Sequence, residues 1–357
     1  MFIDKIMKVS IVVPCYKNED TIASVVHDIR QQTYRDWELI VVGNGPNQDA
    51  QRKIVESEAE EDTRIIYLSI EEKGVSRARN KGVSVATGEW LAFVDADDCV
   101  PSRWLENFLS HASKSPDIII GGISYKNLLS GKVRRADLAL DFEEVYSDVA
   151  SEFIPLFLSD MAATYSPCTK LYNLDFIRRS KILFRDDISI YEDGIFNLQL
   201  ALECCSMCFF RQTGYEYCLH PGSSSIGQFH SSMTAAVKIR RGLQRKVLLR
   251  GGFGEMEIDR KMAGIVAGDA LDTILNLYRV GSGSSFFDKR MRLKSVYNDS
   301  ELINAWKVFN PPMSNIPLVL FRIFHALRAP TFCLATFHLL FAVRNLWRKI
   351  NEAVRFS

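Results

Sequence analysis

Three carboxylates close one apolar run. In "EWLAFVDADDC" (Glu89 to Cys99) the segment Trp90-Leu91-Ala92-Phe93-Val94 ends in Asp95, Asp97 and Asp98. Acids crowded at the carboxyl end of a buried strand repel one another unless a cation sits among them. A divalent ion carrying phosphates fits best, because Mg²⁺ and Mn²⁺ take hard oxygen ligands and need few protein carboxylates when phosphate oxygens complete the shell. Upstream, "KGVSRARNKG" supplies Lys73, Arg77, Arg79 and Asn80. The planar fork of arginine clamps phosphate. Downstream, "YEDG" places Glu192 and Asp193 at the head of an apolar-periodic helix, where a partly buried carboxylate can take a proton from a hydroxyl. Each feature has a plain structural reading. A D-x-D is also a solvated turn after a strand, and acids at a helix start suit the macrodipole whatever the function. The wider pattern has to decide.

That pattern alternates strand and helix. Val9 to Pro14 and Trp37 to Val42 read as buried strands, Arg64 to Leu68 as a third and "WLAFV" as a fourth. Between them, Ile22, Val25, Val26 and Ile29 repeat at helical spacing, a polar helix is expected from about Gln48 to Glu61, and another from about Ser76 to Ala86 ending at Gly88. Pro101 suits the first turn of a helix burying Trp104, Leu105, Phe108 and Leu109. This βαβαβαβ order predicts a doubly wound, mostly parallel α/β sheet, with ligands beyond the carboxyl ends of its strands. Pro14-Cys15-Tyr16, Asn44 and Asp95 to Asp98 all fall at such ends. "DIIIGGISY" and "MCFFRQTGYEYCLH" read as further strands, "GKVRRADLAL" as a partner of the first, and Ser231 to Leu249 and Met256 to Val280 as helices.

With order and spacing both in place, the chain resembles the family 2 inverting nucleotide-sugar glycosyltransferases of GT-A fold. The matching segments are "VSIVVPCYKNEDTIASVVHDIRQQTYRDWELIVV", "KGVSRARNKGVSVATGEWLAFVDADD", "CTKLY", "YEDGIFNLQLAL" and "YEYCLHPGSSS", over roughly residues 7–230. The resemblance implies a GT-A catalytic domain over residues 1–230, with a nucleotide half at about 7–125 and an acceptor half at about 126–230, followed by a helical region over 231–357. It implies that Pro14 and Tyr16 hold the base, that Asp95 contacts the ribose, and that Arg79 faces the donor. It assigns the metal, Mn²⁺ or Mg²⁺, to Asp97 with Asp98 in support, and Asp193 as the base with Glu192 beside it. Lys170 and Tyr172 would line the acceptor side, and His220 would approach the diphosphate or the metal. A UDP-sugar donor and a saccharide or lipid-linked saccharide acceptor are expected, as in bacterial surface-polysaccharide synthesis. The chain departs from the family at Gly43-Asn44-Gly45-Pro46, where an acid usually accepts from the base; Asn44 offers an amide.

Composition bounds the rest. At 357 residues and 47% hydrophobic, the chain can bury a large core, and a net charge of +1 provides no field to steer nucleic acid. Eight cysteines, several within apolar segments, form no small-domain disulfide framework and suit a reducing cytoplasm. The spacing of Cys204, Cys205, Cys208, Cys218 and His220 matches no usual zinc site. The amino-terminal "MFIDKIMKVS" has no apolar signal core, and no run reaches the roughly 20 apolar residues of a span. From Glu301 to Glu352 no acid intervenes, while Lys307, Arg322, Arg328, Arg344, Arg348 and Lys349 are basic. Helices of that kind suit an anionic membrane interface, so a peripheral place at the inner face of the cell membrane is expected; packing of these helices as a domain is the alternative. Two rival functions remain. A sugar-phosphate nucleotidyltransferase would carry a Gly-rich basic loop where "PCYKNED" stands. A non-catalytic sugar-nucleotide-binding subunit would not need both Asp97 and Asp193.

Overall fold

The computed structural model describes residues 7–127, 132–136, 144–147, 164–219, 228–279 and 281–339. Every residue of β1 (Val9–Cys15) and β2 (Trp37–Asn44) is buried, as runs rich in Val and Ile require when helices cover both faces. β1 pairs in parallel with β2 and with β4 (Trp90–Phe93), and β2 pairs in parallel with β3 (Ile65–Ile70). The crossovers are α1 (Ile22–Arg30), α2 (Asp49–Glu61) and α3 (Val75–Val85). α1 buries the four residues whose spacing predicted it, Ile22, Val25, Val26 and Ile29. α3 lies close against β1 at Gly82, where a Cβ would come within 2.3 Å of Val12 Cγ1. α4 (Trp104–Leu109) buries its four expected residues but starts after Pro101, whose carbonyl accepts the Trp104 N–H in a preceding turn.

Among the described residues one sheet runs β3-β2-β1-β4-β8-β5-β9-β7, with β6 on β5. Here β5 is Ile118–Asn127, β6 Val133–Ala136, β7 Glu144–Ser147, β8 Lys170–Asn173 and β9 Met207–Leu219. β8 enters antiparallel between β4 and β5, while β5 and β9 are parallel. The expected pairing of β5 with the "GKVRRADLAL" segment is present over Val133 to Ala136; residues 131 and 137–140 of that segment lie outside the described residues. Two helices follow the sheet's middle strands, α5 (Leu174–Ser180) and α6 (Glu192–Glu203). An aromatic cluster packs under the carboxyl end of β4. Phe184 stacks on Phe196 at 3.8 Å, and Phe93 meets Phe184 and Tyr172 edge-on at 5.3 and 5.8 Å.

The chain divides into two compact units, Met1–Ser223 with Gly242–Gly252, and Ser224–Arg241 with Phe253–Ser357. The carboxyl-terminal helices are α7 (Met233–Arg250), α8 (Glu255–Asn276), α9 (Phe286–Tyr297), α10 (Ser300–Val308) and α11 (Ile316–Ala326); residues 330–339 are also helical. Within the second unit a buried ion network explains two of the basic residues crowded in α7. Asp269 accepts from Arg240 and, at 2.9 Å, from Arg241, which also reaches Glu301 at 3.1 Å. Those two arginines hold helices together.

Candidate active site

The carboxyl ends of β1, β2 and β4 gather the predicted residues. Val12 pairs with Phe93, so Asp95, two residues on, comes level with Pro14 at the rim of the sheet. Tyr16 follows immediately. Its ring packs over Gly45, which has φ +81° and whose Cβ would meet the ring at 2.9 Å. Lys73 Nζ stands 4.4 Å from the ring centroid and Lys17 Nζ 5.5 Å from it. An aromatic face flanked by two cations suits a base with phosphates nearby.

Asn44, expected beside the base, is buried and its amide is engaged by the chain itself. Its Nδ2 donates to the Cys15 carbonyl at 3.1 Å, and its Oδ1 accepts the Gly74 N–H at 3.0 Å. The amide therefore ties the end of β1 to the start of α3. Asn80 is likewise a strut: its side chain donates to Phe184 O at 2.8 Å and accepts Phe184 N–H at 2.9 Å.

Arg79 stands at the centre. Its side chain is 3% exposed, and its two terminal nitrogens go to different carboxylates. One donates to Asp95 Oδ1 at 2.9 Å; the other donates to Asp193 Oδ1. The guanidinium also lies over the Phe184 ring at 5.1 Å. One cation thus joins the acid at the end of β4 to the acid at the head of α6. Desolvation leads in pushing Asp193 up to about 7; the Glu192 and Asp95 charges add to it, while Arg79 pulls the other way. Because Arg79 is shared by two acids, its pull on either is diluted.

The three acids after β4 are not equivalent. Asp98 is buried, accepting from Tyr215 Oη at 2.7 Å and from the Cys218 N–H at 2.8 Å. Burial, then the Asp95 charge, pushes it up to about 8. Tyr215 Oη also accepts the Asp95 N–H at 3.1 Å, so one hydroxyl fixes both acids. Asp97, between them, is half-exposed. Among the described residues no cluster of three or more His, Cys, Asp or Glu side chains is arranged to hold a metal. Asp95 is engaged by Arg79, and Asp98 by Tyr215 and Cys218, so a metal here would take few oxygen ligands from this turn. That fits an ion whose other ligands are phosphate oxygens and water. His220, expected near the metal, lies outside the described residues.

α6 is held at both ends. Tyr191 precedes it with φ +63°, a left-handed conformation that a non-glycine residue keeps only when its surroundings impose it. Asn197, one turn in, donates to Asp193 O at 3.0 Å and to Tyr165 O at 2.8 Å, and accepts from Tyr172 Oη at 2.7 Å. At the other end Arg250 caps the helix, donating to Ala201 O at 3.1 Å and Cys204 O at 2.9 Å. Tyr172 thus acts below Asp193, through Asn197. Lys170 is buried, with Nζ on Ser166 O at 2.6 Å.

Sequence reasoning missed Tyr215, Tyr217, Phe184, Asn197 and Arg250. Only the tyrosines left a signal. The i, i+2 spacing in "YEYC" puts both on one face of β9, and Tyr217, pushed up to about 12 by burial first and then by Asp98, Asp95 and Asp97, faces the same acids.

A rim of this kind, at the carboxyl ends of parallel strands, suits a nucleotide-bearing ligand, and comparison with known proteins agrees in fold. The Glycosyl transferase family 2 profile matches residues 10–180, so this part of the chain is similar to that family, and the sheet has the GT-A arrangement expected from sequence. The protein EpsH of Bacillus subtilis (strain 168) is 28% identical over 60% of this chain and 62% of its own length. The Escherichia coli protein WfgD, a UDP-Glc:alpha-D-GlcNAc-diphosphoundecaprenol beta-1,3-glucosyltransferase, is 36% identical over 28% of this chain and 38% of its own. The chain therefore spans less than two thirds of either relative. Residues 1–349 of S. aureus TarS, in complex with UDP-GlcNAc, share the fold with a TM-score of 0.64 over 92% of this chain and 90% of that one, at 18% identity.

Proposed function

We propose that this protein transfers one sugar from a nucleoside diphosphate, UDP in the first instance, to an acceptor hydroxyl with inversion at the anomeric carbon. The observation that carries the reading is Arg79 joining Asp95, on the donor side, to Asp193, at the head of α6. A base and a nucleotide-side acid share one buried cation, so the two halves of the reaction meet at one point.

Tyr16 and Pro14 would hold the base, with Lys73 beside the diphosphate, and Asp95 the ribose. Asp193 takes the proton from the acceptor hydroxyl as its oxygen bonds to the anomeric carbon. The bond from that carbon to the phosphate oxygen breaks on the opposite face, and its electron pair leaves with the nucleoside diphosphate. A carboxylate tuned towards neutrality is well matched to this task. Glu192 orients Asp193 or receives acceptor hydroxyls. A divalent ion, Mn²⁺ or Mg²⁺, would be held by Asp97 and would neutralise charge on the leaving diphosphate; Asp98 supports the turn from below.

The acceptor is proposed to be a saccharide, free or lipid-linked. The protein is proposed to work at the inner face of the cell membrane without crossing it. No helix among the described residues is long and apolar enough to cross a membrane. α11 nevertheless exposes Ile316 and Ile323, followed by Leu327, one stripe at helical spacing, and the segment around it lacks acids.

Paired variants test the chemistry. Asp193→Asn should bind donor and metal as wild type does and lose about 10²–10⁴-fold in kcat for transfer. Asp97→Asn should instead lose metal-dependent turnover, and with it donor hydrolysis, by several kcal/mol in the barrier. Near-native transfer by Asp193→Asn would remove the base assignment.

A further inference from the structure

The acid turn and the last long strand meet at two cysteines. Cys99 follows Asp98 directly, and its N–H donates to Glu216 O at 3.2 Å in an isolated antiparallel bridge. Two residues along β9, the Cys218 N–H holds Asp98 at 2.8 Å. The two sulfur atoms stand 2.7 Å apart. A disulfide bond is about 2.05 Å long, so closure needs a movement of only about 0.7 Å. Cys99 is half-exposed, whereas Cys218 is 2% exposed. A reagent from solvent reaches the first and not the second.

We propose that Cys99 and Cys218 are a disulfide-forming pair that staples the turn bearing Asp97 and Asp98 to β9. The oxidant is a small dissolved disulfide such as glutathione disulfide. The Cys99 thiolate attacks it, forming a mixed disulfide and releasing one glutathione thiolate. The Cys218 thiol gives its proton to solvent and attacks Cys99 Sγ, releasing the second. Two protein thiols are oxidised, and one glutathione disulfide becomes two thiols. Because the sulfurs are already apposed, closure leaves the Tyr215–Asp98–Cys218 hydrogen bonds in place. It also joins positions 119 residues apart, which restricts the unfolded chain. The staple thus strengthens the floor of the site without dismantling it. It rests on the contacts of these two residues and not on the proposed reaction.

The test uses the full chain in glutathione buffers stepped from reduced to oxidised, with free thiols trapped by alkylation and peptides mapped without reduction. The expected product is a Cys99–Cys218 peptide pair lighter by two hydrogens, with the thermal midpoint several degrees higher than under dithiothreitol. Cys205, which is exposed, serves as the internal control and should carry only glutathione. Cys99→Ser should abolish both the cross-link and the shift. Cys218→Ala should leave Cys99 trapped as its glutathione adduct, which keeps the test readable if either variant is less stable. The proposal is overturned if both cysteines remain alkylatable at the highest oxidant ratio. Stable glutathione on wild-type Cys99 without a cross-link overturns it too, as does a cross-link that fails to raise the midpoint.

Discussion

Asp193 shows how a single carboxylate can be tuned by sharing its counter-ion. The charged groups facing it are Arg79 from α3, Asp95 from the end of β4 and Glu192 beside it on α6. Burial and the two acids favour the protonated form; Arg79 opposes them. With its pKa pushed up to about 7, the proposed base is protonated in mild acid and ionised above neutrality. The sign follows: kcat for transfer should rise with pH through about 7 and level off above it. Donor binding should change less over the same interval. The limb should vanish in Asp193→Asn, whose residual rate should be flat in pH. An unchanged limb in that variant would assign the titration to another group. Motif and order brought Asp95, Asp97, Arg79 and Asp193 forward as candidates, and the structure places Arg79, Asp95 and Asp193 together. The contact of Arg79 with Asp193 across 114 residues was not legible, nor that Asn44 spends its amide on the Cys15 carbonyl and the Gly74 N–H. A residue at a strand end can point at the ligand or at the next loop, and local pattern does not distinguish the two.

At the scale of elements, the parallel half of the sheet was legible because its strands are buried on both faces and its crossovers are amphipathic. β8 was not. It has four residues, it enters antiparallel, and nothing in "KLYN" says that it wedges between β4 and β5. That wedge matters, because β8 carries Tyr172 to Asn197 under the head of α6. β9 does the matching work under the acid turn through Tyr215. Its hydroxyl donates to Asp98 and accepts from the Asp95 N–H, so Tyr215→Phe removes both bonds and leaves a buried carboxyl with one partner fewer. The cost should be about 1–3 kcal/mol of stability, read as a lower midpoint in denaturant titration with an unchanged slope. Transfer should fall as well, since Asp95 loses its tether. A midpoint equal to wild type would mean that the strand alone fixes the turn.

The whole molecule poses the question of where the reaction takes place. The basic residues of the carboxyl-terminal region divide into two kinds. Arg240 and Arg241 are consumed by Asp269, inside the second unit. Beyond Glu301 the described helices carry no acid at all, and large apolar side chains stand in solvent: Met313 is 81% exposed, Leu327 70% and Phe332 69%. Under the proposed membrane role, apolar exposure of that size beside Arg322 and Arg328 would meet an anionic bilayer face. Each lysine or arginine near such a surface contributes about 1 kcal/mol, lost as salt screens it, while the apolar contribution persists. Full-length protein should therefore sediment with vesicles containing anionic lipid, less with neutral vesicles, and less again at high salt. Leu327→Glu with Phe332→Glu should abolish sedimentation while leaving donor hydrolysis unchanged, because both side chains are exposed and neither belongs to the site. Protein that stays in the supernatant with anionic vesicles at low salt would mean that this face is covered by protein instead.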